Sequence, residues 1–243
     1  MESQTQLDKM VINHFISQKE IYINSKPSEA INTVVKYIKN KNMNQSRVLD
    51  IGTGGGHFIF EIKAEIPITN CSAVDITMDT LKIIKKDVEG INFVGSSVYA
   101  LPFSDNSFDI IIFGDLLHHL IGKNRKKSIE LVNKALGEIL RVAKAGSIVC
   151  ILEECISFKY QSILLFWLTF CFAKLNLSSK FFYINNKLII SFLTYNELKK
   201  LLFEHGIKID YMSIWESKSW KIKMLKVIAR LRFYTLIGII QIK

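Results

Sequence analysis

The stretch VLDIGTGGGHF, Val48 to Phe58, sets an apolar run ending in an acid against four glycines within five residues. A turn so bare of side chains is built for close approach. Glycine takes positive φ, lets a ligand reach the peptide backbone, and leaves the free N–H groups of a following helix pointing outward. The spacing narrows the choice of ligand. A dinucleotide fingerprint wants its third glycine where His57 stands, and no Gly-Lys-Ser/Thr follows, so neither the NAD(P) pattern nor the phosphate-binding P-loop is complete.

Working outward, apolar strand-like runs alternate with helical periodicity. Pro27 to Lys41 places Ala30, Ile31, Val34, Val35 and Ile38 on one helical stripe, with Pro27 or Ser28 near its start. RVLDI then reads as a strand, Phe58 to Glu65 as a helix, CSAVDI as a strand, and MDTLKIIKKDV as a helix capped by Thr77 or Asp79. INFVGS is a third strand. FDIIIFGD is a fourth, apolar at nearly every position, as strands covered on both faces are. Lys126 to Lys144 is a long helix, stopped by Gly146, and SIVCILEE a fifth strand. NELKKLLFEHG, IKIDYMSIWE and FYTLIGIIQIK add a helix and two strands. This order predicts an α/β fold, a mostly parallel sheet with helices on both faces and ligands at the carboxyl ends of the strands.

Composition is ordinary for a globular chain: 243 residues, 49% hydrophobic and 22% charged, read as one domain. A net charge of +10 favours a polyanionic neighbour, a nucleic acid or an acidic membrane. Cys71, Cys150, Cys155 and Cys171 form no CxxC pair and no Cys/His metal spacing, and MESQTQLDKM lacks the layout of a signal peptide. The expected setting is a reducing cytoplasm, and no metal is expected.

DIGTGGG resembles motif I, D/E-x-G-x-G-x-G, of the S-adenosylmethionine-dependent methyltransferases with a Rossmann-like sheet. Further landmarks follow in order. AVDIT ends the second strand with Asp75, twenty-five residues after Asp50. FVGSSVYALPFSDNSFDIIIFGDLLHHL is similar to the family's GDAxxLPFxDxSFDxV…LHH segment, and ALGEILRVAKAGSIVCILEE to its E..RVLKPGG helix and strand. The resemblance spans roughly Val48 to Glu154. It implies S-adenosylmethionine as cofactor and a seven-stranded sheet whose last strand is antiparallel and closes the edge. It also implies a cofactor site built from Asp50, Gly52, Thr53, Gly54, Gly56, Asp75, Ile76, Ser96, Ser97 and Asp115.

Each role has a plainer reading beside it. By the resemblance Asp75 accepts hydrogen bonds from two ribose hydroxyls; by position alone it could cap the next turn. Asp50 serves the turn itself or the cofactor's ammonium, and Ile76 is an adenine face or core. Ser96 replaces an acid common in the family, keeping an acceptor without the charge, and the backbone near Ser97 could still read the ring. Lys144-Ala145-Gly146 stands where the family has Pro-Gly-Gly. His118 and His119 follow the fourth strand as candidate general bases, with helix start or packing as the alternative. Asp115 lines the acceptor pocket or caps the turn. His57 and His205 read as structural.

The substrate should be decided where the sheet motifs stop. Residues 156–192 are apolar and, by the resemblance, a helical cap insertion over the acceptor site; their core, Ile163 to Ala173, is too short to span a bilayer and reads as a pocket lid, a dimer seam or an interfacial anchor. Residues 1–41 form an N-terminal helical lid, within a single domain of 1–243. Lys218 to Arg232 holds six basic residues and no acid, a solvated face or an anchor to anionic membrane or nucleic acid. The leading reading is methyl transfer to a small lipophilic acceptor, in a protein that is cytoplasmic or membrane-associated, with a homodimer as a further partner. An RNA methyltransferase, or a methyltransferase-fold binding protein without catalysis, are the alternatives.

Overall fold

The computed structural model describes residues 4–23, 29–43, 45–68, 70–85, 88–175, 189–215 and 231–241. The helix start at Pro27 or Ser28, part of the cap and all of the basic stretch before Leu231 lie outside the described residues.

The strands are β1 (Arg47–Ile51), β2 (Asn70–Asp75), β3 (Ile91–Gly95), β4 (Phe108–Gly114), β5 (Ala143–Ile156), β6 (Leu193–Thr194), β7 (Ile207–Trp215) and β8 (Leu231–Ile240). They form one sheet in the order β3-β2-β1-β4-β5-β8-β7, and the two-residue β6 pairs beside β5. All pairings from β3 to β5 are parallel, and β8 runs antiparallel to both of its neighbours. The strand order reverses between β1 and β4, which makes the crevice over their carboxyl ends the natural ligand site.

Both faces of the sheet are covered, and the alternation of side chains shows how. Leu49, Ile51, Ile111, Phe113, Val149 and Ile151 join one core with α5 (Arg125–Val142) and α7 (Tyr195–Glu204). Their neighbours Val48, Ile110, Ile112, Ile148 and Cys150 join a second core with α2 (Glu29–Asn40) and α3 (His57–Glu65). The stripe read for α2 is the buried one: Ala30, Ile31, Val34, Val35 and Ile38 all face the sheet. α4 (Met78–Ile84) completes the parallel half, with Thr77 at its cap position. α1 (Gln4–Ile23) and α6 (Lys159–Lys174) meet in a smaller cluster of Leu7, Ile121, Phe166, Ala173 and Ile189.

Three details depart from the sequence reading. The antiparallel strand is last in sequence but second from the edge in space. β8 is buried along most of its length, so it needs cover on both sides, whereas β7 exposes Tyr211, Met212 and Ile214 and carries Lys208 and Asp210, which suits an edge. The long helix ends at Val142, not Lys144. Ala143 turns extended because it already pairs with Phe108, and Gly146, at φ 77°, serves a bulge before Ile148 resumes pairing with Ile110. β5 accordingly starts four residues earlier than read, and β6 is a strand that the apolar cap sequence concealed.

Candidate active site

A cavity of about 480 Å³ opens over the carboxyl ends of the parallel strands. Its sheet-side wall comprises Ile51 to Gly55, Val74 to Thr77, Ser96 to Tyr99 and Gly114 to Leu116. The opposite wall is mostly apolar and comes from elsewhere: Val11, Ile12 and Phe15 of α1, joined by Asp8, and Leu120, Ile121 and Phe233.

The glycine turn is held by β2. Gly52 and Thr53 both donate backbone N–H groups to the Val74 carbonyl, at 2.8 and 3.0 Å, and Gly56 N–H donates back to the Thr53 carbonyl at 2.8 Å. Two glycines show why other residues fail here. A Cβ on Gly56 (φ 78°), the cap of α3, would lie 2.5 Å from the Phe60 ring. A Cβ on Gly54 (φ 50°) would meet nothing nearer than the Gly52 carbonyl at 3.9 Å, because it would project into open space. Packing does not demand glycine at 54; backbone conformation and a clear floor do.

Asp50 and Asp75 divide the acidic work. Asp50 is buried beneath the turn and accepts the Thr53 hydroxyl at 2.6 Å, without reaching the cavity. Burial pushes its carboxyl up to about 7; the Thr53 hydrogen bond opposes that rise and the charge of Asp75 adds to it. Asp75 lines the cavity. Its Oδ2 accepts Gly54 N–H at 2.9 Å, and its Oδ1 accepts Thr77 N–H at 2.7 Å and the Thr77 hydroxyl. A carboxylate has about four acceptor positions, so capacity remains for a ligand hydroxyl. Thr77 thus sits at the cap of α4 but gives its hydroxyl to Asp75 instead of to the helix.

Ile76 is exposed, 44%, at the cavity wall, so it is not core. Ser96 and Ser97 line the cavity, and the Ser96 hydroxyl donates to the Ala100 carbonyl at 2.8 Å, leaving its lone pairs as acceptors. His57 opens α3, as read, and also reaches the cavity wall. His205 caps the end of α7 and pairs through Nε2 with Asn133 Oδ1 at 2.9 Å.

The structure separates the two histidines. His118 is buried in a short 3-10 turn, Leu117–His119, and pairs through Nδ1 with Glu153, outside the cavity lining. Burial works against its charge, but Glu153, then Asp115 and Glu154, overcome that and raise it to about 9. His119 lines the cavity, edge-on to Phe15 with ring centroids 4.8 Å apart. Burial, then the charges of His118 and His14, hold it well below the usual histidine range. Its Nδ1 is sealed from solvent and has no hydrogen-bond partner among the described residues.

Glu153 is the residue the sequence reading passed over. It is buried on β5, accepts Leu117 N–H at 2.8 Å and Glu154 N–H at 3.2 Å, and holds His118. It therefore braces the loop that carries Asp115 (φ 50°) and His119 to the cavity. Its only sequence signal is a second acid, next to Glu154, at the end of an apolar strand. Asp115, His118 and Glu153 offer oxygen and nitrogen atoms within 4.8 Å of one another, a donor set that could in principle take a cation, but the brace already occupies the Glu153 oxygens and His118 Nδ1.

Residues 49–151 match the family model described as "Methyltransferase domain". That stretch carries the glycine turn and the strand ends that wall the cavity, and the solved structures below share the fold of the whole sheet. A demethylmenaquinone methyltransferase of Roseiflexus castenholzii is 34% identical over 109 residues, 44% of this chain and 42% of that protein. The uncharacterized methyltransferase YcgJ of Bacillus subtilis is 33% identical over 105 residues, 41% of this chain and 37% of that protein. The chain thus spans about two fifths of the length of these curated relatives. The crystal structure of YcgJ superimposes with a TM-score of 0.62 at 19% identity, covering 88% of this chain and 99% of that one. The 1,6-didemethyltoxoflavin-N1-methyltransferase of Burkholderia thailandensis, solved with 1,6-didemethyltoxoflavin and S-adenosylhomocysteine, gives a TM-score of 0.65 at 14% identity, covering 100% of this chain and 92% of that one.

Proposed function

We propose that this protein binds S-adenosylmethionine on the sheet-side wall of the cavity and transfers its methyl group to a small lipophilic acceptor held against the α1 side. The carrying observation is the position of Gly54: an open floor beside a carboxylate with spare acceptor capacity, continuous with an apolar chamber. Asp75 would accept from the ribose hydroxyls, Ile76 and the Ser96–Ser97 turn would flank adenine, and the Gly52–Gly55 backbone would face the amino-acid end. The methyl group of the bound cofactor is already activated on a sulfonium, so the chain's own task is to align the acceptor and exclude water.

The histidines fit that economy. His118 is protonated at neutral pH and serves the loop brace. His119 stays neutral and resists protonation, which suits a hydrogen-bond acceptor that orients a hydroxyl or N–H better than it suits a strong base. α1 acts as the lid, whereas α2 belongs to the core, and α6 as the cap, within one domain. The lipophilic acceptor is favoured over RNA by the apolar wall and by a quinone-pathway enzyme among the relatives. A membrane surface and a second copy of the chain are the two candidate covers for the outer face of α6.

Calorimetric titration of S-adenosylmethionine tests the cofactor half. Asp75→Ala should weaken binding by about 1.5–3 kcal/mol, roughly tenfold to over a hundredfold, and unchanged affinity would reject the pose. Transfer of a labelled methyl group into the organic-phase fraction of an extract, and not into RNA, tests the acceptor class.

A further inference from the structure

α6 is built inside out. The side it buries against α1 and the chain before β6 carries Ser162, Phe166, Thr169 and Ala173, and two of these are polar. Ser162 is bonded to Arg125 and to the Phe192 carbonyl, and Thr169 to the Leu165 and Phe166 carbonyls. The side it turns outward is apolar: Tyr160, Ile163, Leu164, Trp167 and Cys171 fall on one stripe at helical spacing, with Leu164 69% and Trp167 46% exposed. A helix of a water-soluble surface shows the reverse arrangement.

The described charges on α6 have one sign, Lys159 and Lys174 at its two ends. From Cys155 to Asn196 the sequence has four lysines and no acid, and from Ser217 to Lys243 seven basic residues and no acid. Together these exceed the chain's whole net charge of +10, leaving the remainder close to neutral. Ile156, just before α6, pairs with Leu231, and Trp215 pairs with Phe233, so both described ends of the second segment's loop lie at the end of the sheet where α6 begins. That end also holds the cavity, which Phe233 lines.

We propose that the outward face of α6 docks on an anionic lipid bilayer, with the apolar stripe entering the headgroup boundary and Lys159 and Lys174 at the ends of the helix meeting the lipid charge. A second copy of the chain fits less well. A sixteen-residue helix is about 24 Å long and about 10 Å wide, so its face offers about 240 Å² where a stable interface takes about 800 Å² per partner. No described helix is long and apolar enough to cross a membrane, so the contact is peripheral. The inference deepens the lipophilic-acceptor reading and rests on it only for what would enter the cavity from the bilayer.

Cys171 is the exposed cysteine on this face, and Cys71, Cys150 and Cys155 are buried, so a polarity-sensitive thiol dye can report on it directly. Flotation with phosphatidylglycerol/phosphatidylcholine vesicles at low salt should carry the full-length protein upward, and pure phosphatidylcholine vesicles should carry at least tenfold less. The dye on Cys171 should shift to the blue with the anionic vesicles. The double variant Leu164→Glu/Trp167→Glu should lose at least tenfold in vesicle affinity while its circular dichroism and S-adenosylmethionine titration stay as in the wild type. No flotation of the wild type, no dye shift, or equal flotation of the double variant each overturns the proposal. So does a wild-type dimer by light scattering that the double variant dissolves in the absence of vesicle binding. Failure of the wild type to bind S-adenosylmethionine would reject the methyltransferase reading and leave the flotation result standing.

Discussion

The sheet-side wall of the cavity is a set of short turns, each contiguous in sequence and each fixed by backbone hydrogen bonds to a strand end, as Gly52 and Thr53 are fixed to Val74. The opposite wall is assembled from α1, the loop after β4 and Phe233, which lie far apart in the chain; α1 and the loop meet through apolar packing of Leu7 with Ile121. The first wall is polar and directional, and suits a ligand of fixed chemistry. The second is apolar and adaptable, so changes in side-chain size alter what it accepts without disturbing the first.

The sharpest way to break this contrast is Gly54→Val. A β-branched residue at φ 50° is strained, and its side chain would fill the open floor. Titration should show S-adenosylmethionine affinity reduced by more than about a hundredfold in a variant with native circular dichroism. Normal binding by that folded variant would remove the cofactor from this wall.

The next test asks whether the walls unfold together. Phe113 and Phe166 are both fully buried, Phe113 in the main core and Phe166 in the small cluster between α1 and α6. Phe113→Ala should lower global stability by about 3–5 kcal/mol in urea. Phe166→Ala should move the main transition far less and instead speed hydrogen exchange in α1 and α6. Equal losses would make cap and sheet one cooperative unit.

A smaller effect probes the brace between the walls. His118 is raised to about 9 from its ordinary value near 6.5, so the stability from its pairing is complete below about pH 6.5 and lost as pH rises through 9. The difference in unfolding free energy between wild type and Glu153→Gln should shrink over that window, by about 3 kcal/mol at most. A difference that is flat with pH would assign Glu153 to backbone bracing alone. The least effect is expected at His119. Its replacement by alanine should lower turnover about two- to tenfold, the worth of one neutral hydrogen bond, with the pH profile unchanged. A hundredfold loss accompanied by loss of the lower limb of that profile would restore it as the base.

How much of this was legible in sequence follows the same divide. The seven principal strands, the α2 stripe and the glycine turn could be read because each is a local pattern: period two, period 3.6, or a run of residues that only a bare turn explains. Asp75 and Ser96 entered as site candidates through the family resemblance of the segments AVDIT and FVGSSVYALPF, which are themselves contiguous in sequence. The two-residue β6, the true end of α5 and the interior position of β8 could not be read. Those were set by pairing with remote residues, Cys155, Phe108 and Ile148 among them.

The sequence by itself determined the architecture and the polar wall, since strand alternation and a glycine-rich turn carry their physics in neighbouring residues. Tertiary structure alone decided that Glu153 clamps His118, that His119 and not His118 meets the cavity with Phe15 against it, and that α6 turns its apolar side outward. The contacts that decide these positions, Glu153 on His118 and Phe15 on His119, come from residues tens of positions away, brought near only when the chain closes on itself, so no local pattern could hold the information.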